Sequence, residues 1–156
     1  MNFRTIGLIG YGEVGKIFCA GLQGKDGVTA TSAWDRKFVG DTAAAELAYA
    51  KEAGVTAYMS SQALCEASDL VIAAVTASQS LAVAEEAARF IRPGSVYLDL
   101  NSASPGTKQR SAELIEAAGA RYVEAGVMTS VPPYGIRVPL LLGGEHAGEL
   151  ALLLSA

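Results

Sequence analysis

The chain has 156 residues, of which 51% are hydrophobic, and its 12 lysines and arginines against 16 aspartates and glutamates give a net charge of −4. This length and composition predict one compact globular domain and exclude general disorder. The negative charge, without a run of basic residues, also argues against nucleic-acid binding, because phosphate neutralisation requires a dense patch of lysine and arginine.

Cysteine usage and hydropathy favour a soluble cytoplasmic protein. Cys19 and Cys65 lie in apolar segments with a helical pattern, and neither has a partner at the spacing of metal ligands. We expect both to be small core residues in a reducing compartment. Since no stretch approaches the roughly 20 uninterrupted apolar residues of a membrane helix, no membrane association is expected. No cluster of histidine, cysteine and carboxylate side chains predicts a metal site.

Short β-branched runs alternate with alanine-rich helical patterns along the chain. Strands are predicted over residues 5–9, 28–34, 55–58, 70–75, 96–100, 121–125 and 138–142. Helices are predicted over residues 14–22, 42–52, 62–66, 79–91 and 105–118. The alternation predicts an α/β fold whose sheet is mostly parallel and is covered by helices on both faces.

The first predicted strand turns into the first predicted helix through a Gly-x-Gly-x-x-Gly pattern. Gly10 would permit the tight turn, Gly12 the approach of a pyrophosphate, and Gly15 the close packing of helix on strand. Amides at the start of that helix would bind the phosphates without a lysine. The pattern predicts a dinucleotide site in a doubly wound, Rossmann-type fold, with an ordinary glycine-rich turn as the alternative. The expected cofactor contacts in this turn are Gly10, Tyr11, Gly12, Glu13, Val14 and Gly15.

Asp35 follows the second predicted strand, twenty residues after Gly15. A carboxylate at this position can accept both hydroxyls of an adenosine ribose. Its negative charge disfavours the 2′-phosphate of NADP, and the adjacent Arg36 partly offsets that effect. We therefore expect Asp35 and Arg36 to contact the cofactor and NAD to be preferred, with NADP as the alternative. The other role open to Asp35 is that of a solvated loop residue.

Asn101 and Ser102 follow the fifth predicted strand, and the carboxyl ends of parallel strands are where α/β proteins bind ligands. We predict that they orient the reactants; their alternative role is turn formation and helix capping, which Ser104 could fill instead. Lys108, in the first turns of the next helix, is expected to be a solvated lysine. His146, the one histidine, has no serine or cysteine at nucleophile spacing, so we do not expect it to be catalytic.

Three segments in order resemble a known family: GLIGYGEVG at 7–15, DLNSASP at 99–105 and EAGVM at 124–128. With the later strand that ends in two glycines, they resemble the N-terminal domain of the β-hydroxyacid dehydrogenase and 6-phosphogluconate dehydrogenase superfamily, and look closest to its phosphogluconate-dehydrogenase-like branch. The resemblance covers almost the whole chain. It implies an NAD(P)-binding glycine turn with Val75 and Thr76 on the adenosine side of the cofactor. It also implies that Asn101 and Ser102 lie beside the nicotinamide and the substrate.

The chain departs from the family after the sixth predicted strand. Family members carry a Ser-Gly-Gly anion-binding turn there, whereas this chain has Met128, Thr129 and Ser130. These three residues, together with Ser102, are the expected substrate contacts. The family's catalytic lysine and all-helical domain lie beyond the nucleotide-binding domain. Residues 1–156 are therefore expected to form the dinucleotide-binding domain of a longer enzyme, without that helical domain, and to be inactive alone.

These features favour an NAD(P)-dependent oxidoreductase that transfers hydride between the nicotinamide and a hydroxyl or carbonyl of a small acidic substrate. A nucleotide-binding or sensing module without redox chemistry is a second hypothesis. A methyltransferase that binds S-adenosylmethionine is a third, and Gly15 and the segment 99–105 count against it. Because family members commonly dimerise through the helical domain, a homodimer remains open for this chain.

Overall fold

The computed structural model describes residues 3–127 and 140–143. Within these residues, seven strands form one sheet in the order β3-β2-β1-β4-β5-β6-β7. The strands are β1 Thr5–Ile9, β2 Ala30–Trp34, β3 Thr56–Ala57, β4 Leu70–Ala73, β5 Val96–Asp99, β6 Arg121–Val127 and β7 Leu140–Gly143. The helices are α1 Glu13–Leu22, α2 Ala43–Glu52, α3 Ser61–Ala67, α4 Ser80–Ala88 and α5 Pro105–Ala117. The first six strands are parallel, and β7 pairs antiparallel with β6.

Each predicted strand and helix has a counterpart, and the differences lie at the ends. The helix predicted over 79–91 is shorter in the structure and ends at Ala88. After it, the chain forms i→i−3 hydrogen bonds typical of a 3-10 turn, such as that from the amide of Phe90 to the carbonyl of Ala87 (3.0 Å). The edge strand β3 is reduced to two residues and pairs only with β2. The sequence analysis did not predict two 3-10 helices, Arg36–Val39 and Ala77–Gln79, which follow β2 and β4.

Apolar side chains cover both faces of the sheet. Residues alternate along each strand, so that Ile72 and Leu98 belong to one apolar cluster, whereas Val71 and Tyr97 belong to the other. The first cluster is completed by residues of α1 and α2, and the second by residues of α3, α4 and α5. A parallel sheet buried on both faces accounts for the nearly continuous apolar strands of the sequence.

The helices change face between β1 and β4, which are neighbours in the sheet. The chain leaves β1 through α1 on one face and leaves β4 through α4 on the other. The two connections therefore diverge at the carboxyl ends of these strands and leave a crevice between them. This is the position at which open α/β sheets bind ligands.

Candidate cofactor site

A crevice of about 870 Å³ opens at the carboxyl ends of β1 and β4. Its walls come from the turn after β1, the end of β2, the segment after β4, one face of α4 and the residues after β5. Of the predicted site residues in the described part of the chain, the walls include Gly10, Gly12, Glu13, Val14, Asp35, Arg36, Val75, Thr76 and Ser102. The crevice thus brings together most of the residues that the sequence analysis selected.

The three glycines of the first turn answer three different steric requirements. Gly10 has a φ of 99°, and a Cβ there would collide with the carbonyl oxygen of Ala74. A Cβ on Gly15 would overlap the carbonyl oxygen of Gly10, so α1 packs against the turn only with glycine at that position. At Gly12, in contrast, an added Cβ would meet no atom within 4 Å, because this residue faces the open crevice.

The amino end of α1 opens into the crevice. Gly12 is its N-cap, and no side chain of the described residues accepts a hydrogen bond from its first turn. The first amides of a helix have no partner within the helix, and the helix dipole makes this end attractive to anions. Glu13 and Val14 also line the crevice here. The arrangement fits a pyrophosphate bound by main-chain amides.

The Asp35 carboxylate links the glycine turn to the end of β2. Its Oδ2 accepts a hydrogen bond from the amide of Tyr11 (2.8 Å), and its Oδ1 accepts one from the amide of Lys37 (2.9 Å). The carboxylate therefore caps the 3-10 helix after β2 as well as supporting the turn. A carboxylate has about four lone-pair positions, so each oxygen keeps capacity for a ribose hydroxyl.

Tyr11 is a predicted cofactor contact whose side chain the structure places away from the crevice, so that contact stays a prediction. Its side chain is 1% exposed and lies in the core, where its ring contacts those of Phe38 (5.8 Å between centroids) and Tyr49 (6.0 Å). Burial is the main cause of a raised pKa for its hydroxyl. Tyr11 supports the turn from below and does not line the crevice, and the same holds for the buried Gly15.

Asn101 is also absent from the crevice wall, since its side chain is 2% exposed. Its Oδ1 accepts a hydrogen bond from the amide of Val75 (2.7 Å), and its Nδ2 donates one to Ser80 Oγ (3.3 Å). If Asn101 orients the reactants as predicted, it therefore does so indirectly, by holding Val75 in the crevice wall. Ser102, the next residue, is exposed and lines the crevice.

The sequence analysis missed the face that α4 presents to the crevice. The wall includes Gln79, Ala82, Val83 and Glu86, whose spacing of three and four residues places them on one side of a helix. Only Ala84 and Ala87 of the apolar positions in this helix are fully buried. One face of α4 therefore packs in the core, and another lines the crevice. The only sign of the second face in the sequence is its weak apolar pattern. Lys37, in the 3-10 helix after β2, was also missed, whereas Trp34, the last residue of β2, lines the crevice beside Asp35 as its position in the sequence predicted.

The expected substrate side is only partly described. Met128, Thr129 and Ser130, like His146, lie outside the described residues. Lys108 was expected to be solvated, but it is half-buried and its Nζ donates a hydrogen bond to the carbonyl of Ala125 (3.4 Å) near the end of β6.

Metal-ligand clusters and membrane-spanning helices are both absent from the residues that the structure describes. No group of three or more histidine, cysteine, aspartate or glutamate side chains in the described ranges could hold a metal ion. Among the helices described, none has the length and apolar character that crossing a membrane requires.

Comparison with known proteins identifies the family of this chain. Residues 5–135 match the family described as the NAD binding domain of 6-phosphogluconate dehydrogenase. A conserved hypothetical protein from Sinorhizobium meliloti 1021 is 34% identical, with a TM-score of 0.90 over 97% of this chain and 50% of that one.

Two further relatives show the same pattern of coverage. The conserved protein MTH1747, of unknown function and structurally similar to 3-hydroxyacid dehydrogenases, is 29% identical with a TM-score of 0.79, over 96% of this chain and 53% of that one. An uncharacterised 28.5 kDa protein from the 7S RNA 5′ region of Methanothermus fervidus is 26% identical over 148 residues, which are 95% of this chain and 53% of that protein. The chain thus spans about half the length of each of these relatives.

Proposed function

Because this chain belongs to the NAD-binding domains of the 6-phosphogluconate dehydrogenase family, we propose that it is the cofactor-binding half of an oxidoreductase acting on a small acidic substrate. The observation that carries the proposal is the crevice at the point where the helices change face, with a glycine turn and a helix amino end on one side and Asp35 on another. A bound nicotinamide would supply the hydride acceptor or donor, and the protein would supply binding and orientation.

The described residues divide the binding task between them. The amides at the start of α1 bind the pyrophosphate, and Asp35 accepts hydroxyls of the adenosine ribose. Val75 and Thr76 form the wall after β4, and α4 contributes Ala82, Val83 and Glu86. Holding both reactants in one orientation removes much of the entropic cost of a bimolecular step.

Substrate contacts belong to the other end of the crevice. We place Ser102 there, with Met128, Thr129 and Ser130 as its partners. Oxidation of an alcohol releases a hydride from carbon and a proton from oxygen, so a base must accept the proton. The resemblance assigns that proton to a lysine beyond the nucleotide-binding domain, in the part of the relatives that this chain does not span. The chain alone is therefore expected to bind cofactor and to turn over slowly or not at all.

Cofactor binding is tested by fluorescence of Trp34, the one tryptophan, which lies in the crevice wall. Titration with NADH should give saturable quenching and energy transfer to the nicotinamide. Gly12→Ala should weaken binding about tenfold or more without unfolding the chain, because the added methyl fits the structure but occupies the crevice.

Gly106→Ala is the matched control, since Gly106 lies in α5 and its Cβ would also meet no atom within 4 Å. It should leave the NADH affinity unchanged. Absence of quenching in folded wild-type chain would contradict the proposal. Saturable binding with no turnover by a longer protein that contains this domain would instead favour a nucleotide-sensing module in place of an enzyme.

The state of the two cysteines supports a proposal for the cellular compartment. Cys19 and Cys65 are both unpaired and buried, which supports a reducing environment such as the cytoplasm.

A further inference from the structure

A buried set of hydrogen bonds beneath the crevice joins Tyr122 of β6, Asp99 at the end of β5 and the segments that follow β4 and β5. Asp99, the last residue of β5, accepts a hydrogen bond from the Tyr122 hydroxyl at Oδ2 (2.7 Å) and one from the amide of Asn101 at Oδ1 (2.9 Å). Asn101 in turn binds the Val75 amide after β4 and Ser80 at the start of α4. Asp99 and Ser80 have no measurable exposure, and Asn101 and Tyr122 have 2% and 5%.

A carboxylate in this position is expensive to bury. In the described part of the chain, Asp99 has its two hydrogen-bond donors and no ion pair. Burial of a charge without a counter-ion is unfavourable unless hydrogen bonds fix and satisfy it. One donor, Tyr122, belongs to β6, and the other, the amide of Asn101, follows β5. Burial and the hydrogen bond to Asp99 raise the pKa of the Tyr122 hydroxyl, so this hydroxyl keeps its proton and can donate it to the bond. The pair thereby fixes the main chain of Asn101.

Asn101 continues the contact between β4 and β5 beyond their main-chain ladder. The ladder ends with the bond from the Leu100 amide to the carbonyl of Ala73 (3.0 Å). Past that point the amide of Val75 binds the Asn101 side chain, which stands in for a main-chain acceptor. The segment held between this bond and Ser80 contributes Val75, Thr76, Ala77 and Gln79 to the crevice wall.

We propose that Asn101 is a positioning residue, which Asp99 and Tyr122 hold in place so that it fixes the crevice wall after β4 for the cofactor. The inference rests on the proposed function in taking NAD(P) as the occupant of the crevice. Both polar groups of the Asn101 side chain already have protein partners. Because Asn101 is 2% exposed and does not line the crevice, direct contact with the reactants would require the wall at Val75 to move aside, so the two roles make opposite predictions for the Val75 bond.

The test compares variants of the full chain by two measurements, the dissociation constant for NADH and the hydrogen exchange rate of the Val75 amide. In Asn101→Ala the Val75 amide loses its acceptor, so its exchange should accelerate and NADH should bind about tenfold more weakly. Asn101→Asp keeps an acceptor oxygen and should retain protection of that amide, while its added charge beside the buried Asp99 should lower stability. Asn101→Ser, with a side chain too short to reach Val75, replaces the alanine variant if that one does not fold.

Ser95→Ala is the control for a buried hydrogen bond that is merely structural. Ser95 immediately precedes β5, at the end of the strand away from the crevice. Its hydroxyl donates a hydrogen bond to the carbonyl of Ser68 (3.4 Å). This variant should lose stability and keep wild-type NADH affinity. The inference is overturned if Asn101→Ala binds NADH as the wild type does, or if affinity falls while the Val75 amide stays protected. If the wild type itself does not bind NADH, the proposed function fails, and the Val75 exchange rate still decides whether Asn101 holds the wall.

Discussion

Asp35 joins a structural role to the recognition role that we propose for the same carboxylate. Its two oxygens hold the amides of Tyr11 and Lys37, and it stands in the crevice wall beside two exposed cations, Arg36 and Lys37. The charge of Asp35 repels a 2′-phosphate, whereas the cations attract one. The relative affinity for NADH and NADPH therefore depends on a balance that substitution of Asp35 should shift.

Asp35→Asn should raise the affinity for NADPH relative to NADH by about tenfold, because it removes the negative charge and keeps one acceptor oxygen. The ratio of the two dissociation constants measures the effect. Asp41→Asn, at an exposed acidic residue outside the crevice wall, is the control and should leave the ratio unchanged. An unchanged ratio in Asp35→Asn would show that Asp35 does not contact the adenosine ribose near its 2′ position.

The two buried thiols predict how stability depends on pH. Burial raises the pKa of Cys19 to about 12 and that of Cys65 to about 11, from an ordinary value of 9.0. Between pH 9 and 10 the unfolded chain loses these protons and the folded chain keeps them, so the free energy of unfolding should fall as pH rises. The slope is at most about 1.4 kcal/mol per pH unit for each thiol. Urea unfolding should show a smaller slope in Cys19→Ala, and an equal slope would refute this origin.

At the scale of elements, the positions of strands and helices could be predicted from the sequence. The roles of individual side chains on these elements were harder to predict. The β-branched strands and the cap at Ser104 with Pro105 were predictable, because local pattern and capping determine them. The side-chain roles of Tyr11 and Asn101 were not, because burial depends on what α2 and α4 bring against them. The buried Asp99 gave one signal, a charged residue at the end of an otherwise apolar strand.

The docking of α1 on the glycine turn yields a prediction that separates folding from binding. Gly15→Ala should lower the free energy of unfolding by about 1–3 kcal/mol, because its Cβ would overlap the carbonyl oxygen of Gly10. Gly12→Ala should leave stability nearly unchanged, since its Cβ meets no atom. Urea unfolding of both variants, with Gly106→Ala as the helix control, measures the difference. Equal stability of the two turn variants would mean that α1 does not pack as closely as described.

At the scale of the whole molecule, the strand order places the crevice where two connections diverge, and this could be predicted only in part. Alternation of strands and helices predicts a doubly wound sheet, and the glycine turn predicts which strand begins it. The pairing of β1 with β4 follows from contacts distant in sequence, which a local pattern does not encode. The proposed substrate contacts Met128, Thr129 and Ser130 lie outside the described residues, and the chain spans about half the length of its relatives.

The central claim, that this crevice binds a nicotinamide dinucleotide, is tested most directly by mapping NADH onto the chain through its backbone amide resonances. At 16.1 kDa the chain is small enough for residue-by-residue assignment. The largest shifts are expected at Gly12, Val14, Asp35 and Val75, and none at Ser95 or Gly119, which precede β5 and β6 at the end of the sheet away from the crevice. Shifts concentrated away from the crevice, or no shifts at saturating NADH in folded chain, would contradict the claim.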